Sequence, residues 1–528
     1  MNLSQFFEHW QIQENPFRGE EARHDAVFAR MAMRKAAARK ENADPATPST
    51  PAARRGDVSA YHSDFEKIIG ELAAPATAVV FGEKGSGKTA IRMQIADELA
   101  RHNARHPDAR VFLVPYDDLN AELDHLHAGS GHRDPLESIK GVRLADHMDA
   151  MLSVGVTRLV DALLREDDAG EDLRTIDTAR LGRTMRKRAR RELLLLQAIY
   201  DRHPLAHERT DAVRRLLRLP TPPREVWSRL LAYGGWVLPV AVLAAFFTIG
   251  GGESNNFWIG VFSGAVAAWG VFLLKRLFWD RLVRAGIARR LSRQLRMLDR
   301  PEPSLAESLE YLDTMLRQPS VLPVQDSEEQ RYELFDALRR VLRELGFTGI
   351  LVVVDRVDEP TLVAGDAERM RALVWPLFNN KFLQQDRFGV KMLLPIELRH
   401  ALFKESASFF QEARLDKQNL IERLTWTGAM LYDLCDARLQ ACRSPGAEPI
   451  TLRDLFTEDV ARQDIVDALN QMHQPRDAFK FLYQCLVEHC SNVTAEEGQW
   501  QVPRLVLEHV RKEQADRVQQ LHRGIRPA

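Results

Sequence analysis

The stretch GEKGSGKT, Gly82–Thr89, narrows what this chain can fold into more than any other. It fits the pattern G-x-x-x-x-G-K-[ST], and it follows the apolar run TAVVFG (Thr77–Gly82) and precedes a helical stretch near Lys88–His102. A loop of this kind curls its backbone N–H groups around an anion at a helix N-terminus. Gly82, Glu83, Lys84, Gly85, Ser86 and Gly87 are therefore read as a phosphate cradle. Lys88 would reach the β and γ oxygens of a nucleoside triphosphate and stabilise the transferring charge, and Thr89 would ligate Mg²⁺. The next apolar run, RVFLVPY (Arg110–Tyr116), completes a βαβ alternation and predicts an α/β fold with a parallel sheet.

A phosphate loop needs an acid at the end of another buried strand, and LVVVDRVDE (Leu351–Glu359) supplies it. Asp355 ends the apolar run and is the expected Mg²⁺ carboxylate. Asp358 and Glu359 lie just beyond, where either would polarise an attacking water, with Glu359 the first choice. Because RVFLVPY intervenes in sequence between the two motifs, the expected sheet is one in which an extra strand separates the two motif strands. The strand in KMLLPIELR (Lys391–Arg399) should end beside the γ-phosphate, with Glu397 and Arg399 as the nearest polar groups. Arg399 is read as a sensor or as a surface arginine. Arg414, before the strand expected in NLIERLTW (Asn419–Trp426), is read as a finger reaching a neighbouring subunit or as a helix-end ion pair. In HQPRDAFKFLYQCL, Arg476 stands at a Pro-capped helix start and would enter the nucleotide cleft from a lid, or serve a structural role.

Between the two motifs lie two uncharged runs, Leu230–Ile249 and Phe257–Leu274, about twenty and about eighteen residues long, near the length that crosses a bilayer as a helix. The loop between them, Gly250–Asn256, holds one charge, Glu253. The outer flanks hold Arg214, Arg215, Arg218, Arg224 and Arg229 on one side, and Lys275, Arg276, Arg281, Arg284, Arg289, Arg290 and Arg293 on the other. That asymmetry predicts a hairpin in the inner (plasma) membrane, Leu230–Leu274 contacting lipid, with both ends and the nucleotide site in the cytoplasm. Trp236, Trp258 and Trp279 fall near the expected interfaces. A buried helical pair in a soluble core would not need this charge arrangement. Gly260, Gly264 and Ala268 repeat at a spacing that permits close helix packing, within the hairpin or between subunits.

Net charge is −1 with a pI of about 7.0, so no global basic field points to nucleic acid. The local cluster RTMRKRARR (Arg183–Arg191) reads as a solvated helix face, with an anionic-lipid or nucleic-acid patch as the alternative. The four cysteines form no CxxC and read as small buried residues of a reducing compartment. The opening MNLSQFFEHWQIQENPF lacks the pattern of a signal peptide, so targeting is expected from inside the chain. The organisation expected is a helical lead-in (1–35), a flexible linker (36–60), a nucleotide-binding core in two parts (61–135 and 346–426), a helical stalk insert (136–345) and a helical lid (427–528), with a winged-helix element as the alternative within it.

The phosphate loop, the hhhhDxxDE form of LVVVDRVDE and the PRD helix start resemble the STAND and origin-recognition branches of AAA+-related P-loop NTPases. With membrane helices inserted between its two motifs, the chain is also similar in architecture to the KAP family, although KAP proteins more often carry a double-aspartate motif ending in arginine. FFEHWQIQENPF (Phe6–Phe17) resembles the lead-in of general-secretion-pathway AAA ATPases. The resemblance implies an ASCE/AAA+-like core that binds and slowly hydrolyses ATP with Mg²⁺, acts as a switch, forms a homo-oligomer on ATP binding and signals to an unknown effector, in signalling or anti-phage defence. The absence of an N-K-x-D motif near the site favours ATP over GTP. The alternatives are a motor that remodels protein or nucleic acid at the membrane and a nonhydrolysing, nucleotide-bound scaffold.

Overall fold

Strands rich in Val, Leu and Phe on both faces need helices on both sides, and the architecture follows from that. The computed structural model describes residues 1–19, 22–31, 61–166, 173–174, 176–178, 180–220, 223–249, 255–413, 415 and 419–522. The whole of the expected linker, the tip of the loop between the two apolar runs with Glu253, and Arg414 lie outside the described residues. Strands β1 (Ala78–Gly82), β2 (Arg110–Tyr116), β3 (Phe347–Val354), β4 (Phe388–Pro395) and β5 (Asn419–Ile421) form one parallel sheet in the order β2–β3–β4–β1–β5. The strand that separates β1 from β3 is β4. RVFLVPY, which intervenes in sequence, is instead the edge strand β2. The run Asn419–Trp426 is a strand only to Ile421, after which the Leu424 N–H donates to the Phe81 carbonyl at 2.8 Å.

Alternation sorts the sheet's side chains into two cores. Val79, Phe81, Phe112, Val114, Val352 and Met392 face the helices Leu144–Leu164, Lys187–Tyr200 and Glu328–Glu344. Val80, Val111, Leu113, Leu351, Val353 and Leu393 face Phe65–Ile69 and the phosphate-loop helix Lys88–Arg105. Much of the insert expected as a stalk is therefore one layer of the domain built on the parallel sheet, because its helices share a hydrophobic cluster with the sheet. The helices Val237–Ile249 and Asn255–Leu274 behave differently. The segments Leu230–Thr248 and Asn256–Leu274 are long and apolar enough to cross a membrane, and very little of either is buried.

The lead-in joins the far end of the chain. Phe6, Ile12, Phe17 and Val27 share a core with Leu431, Leu439, Phe481 and Leu486. The lid consists of the helices Gly428–Ala441, Arg462–Asn470, Pro475–Asn492 and Arg504–His522. Among its described residues there is no β-hairpin to make a wing, only the isolated bridges Ile12 to Arg443 and Phe456 to Val502. The connections between these helices instead carry the 3-10 turns Leu452–Leu455 and Ala495–Glu497.

A buried imidazole fixes the insert to the sheet. His147 Nε2 donates to the Leu373 carbonyl at 2.8 Å, which leaves Nδ1 to accept from the Tyr116 hydroxyl at 2.8 Å. Only the neutral ring can do both, and burial pushes its pKa down to about 4 from an ordinary 6.5. With the folded pKa below the unfolded one, this stability is complete above about pH 6.5 and is lost as pH falls towards about 4. The melting temperature is expected to fall over that window, and His147→Gln to flatten the fall. An unchanged pH slope in the variant would contradict this role.

Candidate functional site

The carboxyl ends of β1, β3 and β4 open onto a cavity of about 650 Å³. Ligands in open parallel sheets bind at this end, where helix N-termini and strand ends converge. Of the phosphate loop, Lys84, Gly85, Gly87, Lys88 and Thr89 line it. Gly85 and Gly87 take φ of +96° and +92°, backbone that an L side chain rarely adopts. Lys88 Nζ donates to the carbonyls of Gly82 at 2.8 Å and Glu83 at 3.1 Å. Burial lowers the Lys88 pKa, Asp358, Asp355 and Glu397 raise it, and Arg476 adds to the lowering. Ser86 is buried with its hydroxyl unpartnered, and its carbonyl accepts from Trp426 Nε1 at 2.8 Å. The Glu83 carboxylate does not face the cradle: it pairs with Arg423 and accepts from Gln474, which ties the loop to the lid.

Asp355 follows β3 and is 1% exposed. Its N–H donates to the Tyr116 carbonyl at 3.3 Å, and its Oδ2 has no hydrogen bond. Arg92 Nε lies 3.6 Å from that oxygen, while another Arg92 nitrogen is 2.6 Å from Asp117, which also pairs with Arg23. Burial pushes the Asp355 pKa up to about 6 against the pull of Arg92 and Lys88. A buried carboxylate oxygen with no hydrogen bond, on a cavity that also holds Thr89, fits a hard divalent cation. Among the described residues no group of three His, Cys, Asp or Glu forms a metal cage. A phosphate-bound Mg²⁺ needs only one or two protein carboxylates.

Asp358 and Glu359 both line the cavity but differ in state. Glu359 is paired with Arg356, whereas the Asp358 carboxylate has no ion pair or hydrogen bond among the described residues and is the largest acidic influence on Lys88. Glu397 lines the cavity from the end of β4. Arg399 does not: it pairs with Glu422 at 2.7 Å and lies over the Phe403 ring at 4.9 Å. Arg476 lines the cavity from the first turn of Pro475–Asn492, and a Cβ built on Gly85 would lie 3.0 Å from its Cβ. Arg414 is outside the described residues.

Several site residues escape a motif search. Arg92 is legible afterwards, being one helical turn past Lys88 on the same face. Gly19, Asp25 and Phe28 of the lead-in line the cavity together with Leu434 and Phe479 of the lid. Arg438 holds that wall together, donating to Asp25 at 2.6 Å and to the Pro16 carbonyl at 2.6 Å, with its guanidinium 4.5 Å from the Phe479 ring centre. No local pattern marks these residues, since they meet only because the two chain ends share one core. Comparison of the chain with models of protein families, with curated proteins and with solved structures gives no match.

Proposed function

We propose that this chain is a membrane-anchored P-loop ATPase, KAP-like and AAA+-related, that works as an ATP-dependent switch. One observation carries the reading: a single cavity collects the Gly82–Thr89 loop, the acids after β3 and Arg476 of the lid, from three distant parts of the chain. The placing of β4 between the two motif strands supports it. On nucleotide binding, Lys88 exchanges the Gly82 and Glu83 carbonyls for phosphate oxygens, and the loop N–H groups hold the same anion. Thr89 and Asp355 would hold Mg²⁺, which would supply charge neutralisation on the phosphates. Asp358, free and beside Lys88, accepts the proton of the attacking water, and Arg476 draws the lid onto the charge. The exposed apolar helices anchor the protein in the inner membrane with the ATPase on its cytoplasmic side. A Cβ added at Gly260 or Gly264 would meet no atom within 4 Å, so the small-residue face is unused within the hairpin and is left for packing between subunits on ATP binding.

The test is fluorescent-ATP binding by the detergent-purified full chain. Lys88→Ala should weaken affinity by at least about tenfold, the effect of losing a charge-assisted contact. A wild-type chain that binds no nucleotide removes the proposal. Asp117 offers a sharper check, because it holds Arg92 off Asp355. In Asp117→Asn, Arg92 should settle on Asp355 and raise the Mg²⁺ concentration needed for half-maximal binding by about tenfold, with metal-free nucleotide affinity unchanged. Mn²⁺ binding followed by electron paramagnetic resonance gives the same answer without turnover, and an unshifted curve refutes it.

A further inference from the structure

The cytoplasmic end of the hairpin carries a surface that no other described element covers. The second apolar helix does not stop with its uncharged run. It passes through a π-helical turn, Lys275–Trp279, into Asp280–Gln294. Its open face stays apolar past Leu274, with Phe278 62%, Trp279 64% and Leu282 66% exposed. From Trp258 to Trp279 is about 21 residues, roughly 31 Å of helix at 1.5 Å per residue. That equals the thickness of a hydrocarbon core, so the two tryptophans bracket one. Trp269 Nε1 lies 3.4 Å from the Ala232 carbonyl. Counting away from that contact along the antiparallel pair brings Trp227, 65% exposed, to within a turn or two of Trp279. The same part of the first helix has a shallow apolar groove of about 250 Å³, lined by Trp227, Leu230, Leu231, Gly234, Gly235 and Leu238, where the helix breaks.

Beyond the aromatic level the same stripe turns cationic. Trp279, Leu282, Gly286, Arg290 and Arg293 follow one another at helical spacing on the exposed face, while Ala288 and Leu291 on the opposite face are buried. Arg284 is paired with Glu310 at 3.4 Å and Arg289 with Glu302 at 3.5 Å. Arg281, Arg290 and Arg293 are exposed and have no ion pair among the described residues.

We propose that this end of the hairpin binds anionic phospholipid of the cytoplasmic leaflet, the groove and aromatic belt taking acyl chains, Arg281 just past the Trp279 level taking a headgroup phosphate, and Arg290 and Arg293, further out along the helix, adding attraction to the anionic surface. The inference rests on the membrane reading above. Charge complementarity favours lipid as the occupant: apolar, aromatic and arginine zones succeed one another along the helix axis, the order of zones across a bilayer leaflet. From Lys275 to Arg293 the only acid is Asp280. Guanidinium forks suit phosphate, and exposed cations next to a span gain from an anionic surface.

The test places the full chain in vesicles of phosphatidylcholine with and without phosphatidylglycerol and reads the lipid shell with spin-labelled lipids. Phosphatidylglycerol should be enriched over phosphatidylcholine by about fivefold, the effect of one well-placed cation, and the enrichment should fall with added salt. The triple change Arg281→Gln, Arg290→Gln, Arg293→Gln should bring it close to parity, and the corresponding triple Lys variant should keep most of it, which separates lost charge from lost fold. Equal shells in the wild type, or a Gln variant that selects as well as the wild type, overturn the lipid site. If the chain floats with the vesicles but selects no lipid, only this inference falls. If it floats with neither composition, the membrane reading falls with it.

Discussion

Asp358→Asn is expected to slow ATP hydrolysis by about 10²- to 10⁴-fold, the usual cost of losing a general base, with ATP affinity nearly unchanged. Glu359→Gln should cost less. The two acids are neighbours and both face the cavity, but only one is available. The Glu359 carboxylate is held by Arg356, which itself sits at φ +61°, so freeing it means breaking an ion pair and moving a constrained turn. Asp358 has no partner to leave, and Lys88 feels it more than any other acid. Single-turnover rates of the full chain, measured with Mg²⁺ saturating, separate chemistry from binding. The reverse ranking would show that nucleotide binding pulls Glu359 away from Arg356, and would return the base role to the residue first chosen from sequence.

The second large effect concerns stability. Arg331 and Asp149 are both 0% exposed, and two guanidinium nitrogens lie 2.9 and 3.1 Å from one carboxylate oxygen. The other oxygen accepts from the Tyr200 hydroxyl at 2.8 Å, and Arg331 also donates to the Gln325 and Ser327 carbonyls at 2.9 Å. This one network pins together Leu144–Leu164, Lys187–Tyr200 and Glu328–Glu344, the layer that backs the sheet. Arg331→Ala strands a carboxylate in the core and should destabilise the protein by about 3–5 kcal/mol. Replacing both partners, Arg331→Met with Asp149→Leu, should recover most of that loss, because no charge is then left unpaired. Urea titration in detergent checks both variants. A single-variant loss below about 1 kcal/mol, the scale of an exposed pair, would refute the network's role. Because Glu328–Glu344 leads directly into β3, loosening it should also disturb Asp355 at the far end of that strand.

The parts of the site carried by short-range pattern were legible in the residues. Gly82–Thr89 announces its turn because Gly85 and Gly87 must take positive φ, and the helix that follows must begin at Lys88. Asp355 is marked by the apolar run it ends. The two membrane-length helices are equally plain, since length and absence of charge are local properties. Arg399 shows the limit. Its distance from a strand end was right for a sensor, but the helix Ile396–Leu402 turns it towards Glu422, a direction that spacing alone does not specify.

What the sequence alone determined about this protein is therefore its periodic and glycine-dependent features: a strand–loop–helix, an acid-tipped buried strand, a Pro-started helix bearing Arg476, and an exposed apolar pair. Tertiary structure decided which strand separates β1 from β3, that the insert is a layer of the core, that the lead-in folds with the lid, and which acid stands free. The physical reason is that backbone conformation and amphipathic period are set by neighbours in the chain. Pairing partners, by contrast, are set by burial across hundreds of residues, as when Pro16 and Asp25 meet Arg438.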